Sequence, residues 1–296
     1  MYILGEEMVR PMKKIKTIAL YTSKKEKKVL HILEQLQEII LNLGIKVIYP
    51  DASAIKIDSI IKTSPNEQVI AKSDLVIAVG GDGTLLSCSR KFGSCGLPIL
   101  GINLGNLGFL NDITPSDLTN SIIEILDGKY VLEERFFLKT SINNTQCKDI
   151  ALNEVVIHSG SLAQLIEFEV FVDDKFVYRQ KADGLIINTP TGSTAYALSG
   201  NGPIIHPNVG AISILPMLPH SLNTRPLIVD DTVKIKVIPN KKSFISYDSQ
   251  INHKLKRGDE ILIQRNKEVL NLLHPLNHDF YSACRMKLGW SLAIPN

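Results

Sequence analysis

Several things are scarce in this sequence, and each scarcity removes a class of protein. No apolar run approaches the roughly 18 residues that a membrane-spanning helix needs. The N-terminus carries Lys13, Lys14 and Lys16 without an apolar stretch before a cleavage site, so neither a span nor export is expected. Cysteine occurs only at 88, 95, 147 and 284, with no CxxC pair and no Cys/His spacing for zinc. That excludes a disulfide framework and a zinc finger, and it fits a reducing cytoplasm. Net charge is only +3, and no aromatic residue interleaves with the cluster Lys24, Lys25, Lys27 and Lys28, which reads as the solvated start of a helix rather than a nucleic-acid surface. Both common nucleotide signatures, GxxxxGK[ST] and GxGxxG, are missing as well.

What is present is a 296-residue chain with 44% hydrophobic residues, enough for a sizeable core and for two domains. In the first half, strand-like and helix-like segments alternate, the pattern of a layered α/β domain with a largely parallel sheet. Ile18–Tyr21 reads as a first strand. Apolar residues at Val29, Leu30, Ile32, Leu33, Leu36, Ile39, Ile40 and Leu43 recur with a period near 3.6 and predict an amphipathic helix closed by Gly44. Val47–Tyr49 is a second strand stopped by Pro50. Leu75–Val79 is continuously apolar, as a strand buried on both faces must be. A strand at Ile99–Ile102 follows, and Thr114, Pro115 and Asp117 predict a capping-box-like start for a helix through Leu126, with Gly128 after it.

Beyond about Tyr130 the signal becomes mainly β. Ile166–Val172 alternates in part, Asp173-Asp174 sits between two strand-like runs like a hairpin turn, and Val233–Val237 alternates strictly. No repeat or Gly/Ser linker marks the junction.

Two segments carry chemistry. The buried strand at 75–79 opens into Gly80-Gly81-Asp82-Gly83-Thr84, a glycine run that brings backbone N–H groups close to a polyphosphate. A carboxylate in its middle would repel phosphates unless it accepts a hydroxyl proton or helps to hold Mg²⁺. The other reading is a tight turn in which Asp82 bonds its own backbone. Further on, Asn153-Glu154 precedes an apolar run and taken alone reads as a surface turn, its other reading being an amide and carboxylate that meet a ligand's hydroxyls and amine, and Asp183–Tyr196 runs from a strand through a Thr/Gly/Ser turn into a helix. Hydroxyls, amides and the ring of Tyr196 there suit a ribose and a purine. Ser199–Pro203 continues the small-residue stretch.

Taken together, Gly80–Thr84, Asn153-Glu154, Asp183–Tyr196 and Leu218–Pro226 resemble, in order and spacing, the motifs of NAD kinases over most of the chain. The first motif is shared with diacylglycerol and sphingosine kinases; the Asp183–Tyr196 segment is not. The resemblance implies a Rossmann-like α/β domain over 1–135, a β-sandwich domain over 136–275, and a tail, 276–296, that returns to the first domain. It implies Asp82 as the base that takes the proton from the 2′-hydroxyl of NAD, and Gly80, Gly81, Gly83 and Thr84 as the loop at the donor phosphates. Asn153, Glu154, Lys181, Asp183, Thr194, Ala195, Tyr196, Ser199, Asp248 and Gln250 are implied at NAD. Ser249 stands where many relatives have glycine.

The implied reaction moves a phosphoryl group from ATP, or polyphosphate, to NAD, with Mg²⁺ carried by the donor rather than in a protein cage. The implied unit is a cytoplasmic homodimer or homotetramer with no nucleic-acid or membrane partner. His158, His206 and His220 lack partners at metal spacing, and Arg225 reads as a structural ion pair rather than a phosphate clamp. The rival readings are a lipid kinase, which needs an apolar acceptor pocket, and a non-catalytic NAD(P) sensor.

Overall fold

Leu75–Val79, every residue of it buried, is a central strand of a parallel sheet. The protein is described by a computed structural model covering residues 14–51, 53, 63–105, 108–160, 164–221 and 223–290. Residues 1–12, and Leu222 within the Leu218–Pro226 stretch, lie outside the described residues. The chain divides into two compact units, Met1–Glu134 with Leu270–Asn296, and Arg135–Val269.

In the first unit, β1 (Thr17–Tyr21), α1 (Lys27–Asn42), β2 (Lys46–Pro50), β3 (Thr63–Ser64), α2 (Asn66–Lys72), β4 (Leu75–Val79), α3 (Asp82–Lys91), β5 (Ile99–Ile102) and α4 (Leu118–Leu126) follow in order. The sheet order is β3-β2-β1-β4-β5, with every pairing parallel. The period read in the sequence places Val29, Ile32, Leu33, Leu36 and Ile40 of α1 against Ile18, Leu20, Leu75 and Ile77. Burying each such side chain is worth about 1.5–3 kcal/mol. Five of the six expected features stand. The capping box at Thr114 does not form: a 3-10 turn, Pro115–Asp117, comes first, and the Thr114 hydroxyl bonds the Ser116 and Asp117 side chains rather than a helix N–H.

The second unit contains β6 (Val131–Ile142, from Arg135 on), β7 (Thr145–Ala151), β8 (Glu154–His158), β9 (Ile166–Val172), β10 (Lys175–Ala182), β11 (Gly184–Asn188), the one-turn α5 (Tyr196–Ser199), β12 (Ala211–Met217), β13 (Leu227–Asp230), β14 (Ile235–Pro239), β15 (Ser243–Tyr247), β16 (Ile251–Leu255) and the start of β17 (Ile261–His274). One antiparallel sheet runs β13-β12-β11-β8-β15-β16, and a second joins β10, β9, β14 and β17. Alternate side chains meet between them, among them Val155, Leu185, Ile187 and Ile214 from the first and Phe168, Val170, Ile235 and Ile263 from the second. This is a β-sandwich. Asp173 and Asp174, at φ 46° and 60°, form the tight hairpin between β9 and β10.

From Leu270 the chain belongs to the first unit again. Leu272 and Leu273 pair in parallel with Ile99 and Leu100. Then α6 (Phe280–Leu288) starts on an Asp279 side chain that accepts from the Tyr281 N–H.

Candidate active site

A phosphate loop needs backbone that can turn sharply beside a ligand, and Gly80 supplies it. Its φ is 154°, and a Cβ there would stand 2.4 Å from the Thr84 hydroxyl oxygen. Gly81 and Gly83 are exposed, Thr84 is buried with its hydroxyl on Ser23 at 2.7 Å, and α3 begins at Asp82 itself. The loop thus presents the N-terminal turn of a ten-residue helix at the carboxyl end of a buried strand, an arrangement that attracts anions.

Asp82 does not bond its own backbone as the turn reading required. The N–H groups of Phe109 (3.4 Å) and Leu110 donate to its carboxylate, and the Asn111 amide donates to Oδ1 at 3.3 Å. Burial raises its pKa above the ordinary carboxylate value, while those N–H groups and the Lys287 ammonium pull it back down. The net shift is upward, so Asp82 is a part-buried carboxyl of enhanced basicity.

In the second unit the site begins where β8 and β11 lie side by side, Glu154 opposite Asn188. Asn153 and Glu154 are almost fully buried, and Asn153 Oδ1 and Glu154 Oε2 are buried without a hydrogen-bond partner. Such orphaned polar atoms cost stability unless a ligand meets them. Burial, helped by the neighbouring Asp248 carboxylate, pushes the Glu154 carboxyl up to about 8 against one Tyr196 N–H that favours ionisation. Near neutral pH it is therefore a protonated acid.

The Thr189–Thr194 turn packs directly on this strand. Thr189 donates its N–H to the Asn153 carbonyl at 2.9 Å, and a Cβ on Gly192 would stand 2.1 Å from that same oxygen. Thr194 and Ala195 are half-buried, while Tyr196, 40% exposed, and Ser199 face solvent. A ring of this kind is free to cover a purine. Lys181 is exposed and Asp183 half-buried at the head of β11, where the Lys181 carbonyl accepts from the His220 N–H and Asp183 donates its N–H to the Met217 carbonyl.

Asp248 is bound to the backbone where β8 begins. Its carboxylate accepts from the N–H groups of Leu152 (3.1 Å), Asn153 (2.8 Å) and Glu154 (3.2 Å), so it fixes the backbone that carries the two orphaned side chains. Asp248 and Ser249, at φ 48° and 57°, make the turn between β15 and β16, and Gln250 beside them is exposed. Serine thus occupies a left-handed position that glycine fills without strain.

Sequence reasoning overlooked the segment 109–112 and the residues behind it. Asp112 accepts from the Nδ1 of His274 and, at 2.7 Å, from the Nδ1 of His278, whose rings stack with centroids 3.9 Å apart. The three are spaced like metal ligands, within 4.8 Å of one another. Ligands of one ion at about 2.0–2.2 Å bonds stand roughly 3 Å or more apart, so the direct Asp112–imidazole contacts are hydrogen bonds.

Two family models match the chain: the ATP-NAD kinase N-terminal domain over residues 8–130 and the ATP-NAD kinase C-terminal domain over 152–274. The chain is 44% identical to an NAD kinase of Teredinibacter turnerae over 265 residues, covering 87% of this chain and 88% of that one. It is also 44% identical to an NAD kinase of Pseudomonas entomophila, over 88% and 91% of the two chains. Among solved structures, the yeast NADH kinase complexed with NADH superposes with a TM-score of 0.86 at 26% identity, covering 96% of this chain and 90% of its own. An NAD kinase from Archaeoglobus fulgidus in complex with ATP gives 0.75 at 25% identity over 92% and 98%. An α/β unit with a glycine-rich loop at the carboxyl end of a buried strand is joined in one chain to a β-sandwich, and the matches place the chain among phosphotransferases that act on a nucleotide. The chain belongs to the NAD kinase family.

Proposed function

We propose that this chain is an NAD kinase that transfers the γ-phosphoryl group of ATP, or a phosphoryl group of polyphosphate, to the 2′-hydroxyl of the adenosine ribose of NAD, forming NADP. The observation that carries the reading is Asp82: a carboxyl in the first turn of α3, made more basic by burial and held by the Phe109, Leu110 and Asn111 donors. Asp82 takes the hydroxyl proton as the ribose oxygen attacks, and the Gly80–Thr84 backbone receives the donor phosphates. In the second unit, Asn153 and the protonated Glu154 offer their unpartnered atoms to ribose hydroxyls and the purine edge, and Tyr196 covers the base. Lys181, Asp183, Thr194, Ala195 and Ser199 surround NAD in this proposal; Asp248 supports it through the backbone of 152–154, next to Gln250.

Divalent Mg²⁺ fits as an ion brought by the donor, because the loop contributes a single carboxylate, Asp82, and no cage of them. Bound there with the phosphates, it supplies charge neutralisation for the transferring group. The protein acts as a homodimer or homotetramer in the cytoplasm; among the described residues no helix is long and apolar enough to cross a membrane. Light scattering on the purified chain tests the assembly.

The decisive assay is NADP formation from NAD, ATP and Mg²⁺, read through an NADP-specific dehydrogenase, with Asp82→Asn as the control. Turnover by the wild-type chain that is lost in the variant is expected. NAD binding with no product from ATP or polyphosphate would sink the reading in favour of a sensor.

A further inference from the structure

We propose that Phe109–Asp112 is a positioning cradle for the Asp82 carboxylate, and that Asn111 is its decisive side chain. The proposal rests on the reading of Asp82 as the base.

Three consecutive residues aim donors at one carboxylate. Phe109 donates to Oδ2, Leu110 donates through its N–H, and the Asn111 amide divides its two protons between Asp82 Oδ1, at 3.3 Å, and the Gly80 carbonyl, at 3.4 Å. Asn111 therefore ties the base to the glycine that opens the phosphate loop. Its side chain is fully buried, and its Oδ1 has no hydrogen-bond partner. That oxygen lies against Gly101, where a Cβ would come within 1.9 Å of it. Turning the amide over would point an oxygen at the Asp82 carboxylate and at a carbonyl, two repulsive contacts, so the donor orientation is fixed by its surroundings. Gly108 closes the other side: a Cβ there would stand 2.3 Å from Asp82 Oδ1.

The cradle is itself tethered at its far end. Asp112 is held by His274 and His278, and Ile113 bridges to Ile102 of β5 while its carbonyl accepts from the Asn103 N–H at 2.9 Å. A carboxylate so supported keeps one direction toward a bound hydroxyl, and misplacing such a group by about 1 Å costs up to about 10²-fold in rate.

Two variants test this without relying on each other. Asn111→Leu removes the donor at similar size. Gly108→Ala pushes against the flexible end of the Asp82 side chain, which yields at little cost to the fold. Each is compared with the wild-type chain and Asp82→Asn for kcat, KM for NAD, melting temperature and the pH profile of kcat.

For both variants kcat is expected to fall about 10- to 100-fold, with KM for NAD within about threefold. In Asn111→Leu the acidic limb of the profile moves to higher pH, because the anion has lost a donor. The other charges facing Asp82, Lys287 from α6 and Asp112, are unchanged in both. A merely structural role would lower the active fraction and melting temperature without moving that limb. Wild-type kcat and an unmoved limb in Asn111→Leu, with Asp82→Asn inactive, would overturn the cradle and leave the base standing. Full turnover by Asp82→Asn would overturn both. Should Asn111→Leu fail to fold, Gly108→Ala decides: a folded variant with wild-type kcat overturns the proposal.

Discussion

Asp82 and Glu154 are both carboxyl groups raised by burial, and the protein treats them in opposite ways. Around Asp82, burial and the Asp112 carboxylate raise the pKa, and two backbone N–H groups, an amide and an ammonium work against them. Around Glu154 one N–H stands against burial and a second carboxylate, and the proton stays until about pH 8. Burial alone therefore does not make a base; the donors that accompany it decide whether a buried carboxyl acts as an acceptor of protons or a holder of one.

The strongest way to break that contrast is Asp82→Asn, which keeps size and removes the proposed base. We expect kcat to fall about 10²- to 10⁴-fold with NAD affinity, by titration calorimetry, within about threefold. Full turnover would put Glu154 and Asp82 on the same footing. Next in size is Gly192→Ala, which drives a methyl into the Asn153 carbonyl and should cost about 1–3 kcal/mol in denaturant unfolding, together with weaker NAD binding. Unchanged stability would show that the turn can move away from β8.

Glu154→Gln sharpens the comparison through pH. A carboxyl whose folded pKa lies above its unfolded value destabilises the fold progressively as pH rises from about 4.5 to about 8. The amide lacks that liability, so the variant should melt higher than the wild type at pH 8.5 and about equally at pH 4.5; equal melting at both would remove Glu154's assigned state.

His278 provides the converse case. Asp112 and Glu133 raise it to about 9 against burial, so its contribution is full below about pH 6.5 and is lost as pH rises through about 9. His278→Gln should flatten that alkaline loss of stability, on the order of 3 kcal/mol at most. A slope identical to wild type would mean that the histidine is not charged in the fold.

Local chemistry was legible in the sequence wherever a pattern repeats or a turn has one answer. Leu75–Val79, the Asp173-Asp174 turn and the α1 stripe were all readable because burial of one face dictates the spacing. The Thr114 capping box was not, since its hydroxyl found neighbouring side chains instead of a helix N–H. For the site, glycines and hydroxyls announced the two segments proposed to meet ligands, but what supports them left little trace. Asn111 lies 29 residues from Asp82, Asp248 lies 94 residues from Glu154, and both act on partners that no local periodicity records. The sole signal at 109–112 was a polar pair, Asn111-Asp112, beside Phe109 and Leu110, and the backbone bonds that Asp248 accepts left no mark in the sequence. His274 and His278 carried no spacing to Asp112 at all.

The first unit is interrupted in sequence, and that has a consequence for how the protein comes into being. Its sheet receives Leu272 and Leu273, and Asp82 receives the field of Lys287, only from chain that the ribosome makes after all of residues 135–269. At about 5–20 residues per second, the phosphate loop waits on the order of ten seconds between its own synthesis and the arrival of its last strand. During that interval β5 is an open sheet edge and Asp112 has neither imidazole, whereas the sandwich, continuous in sequence, is free to close first. The first unit is thus completed only by chain that follows the sandwich in sequence.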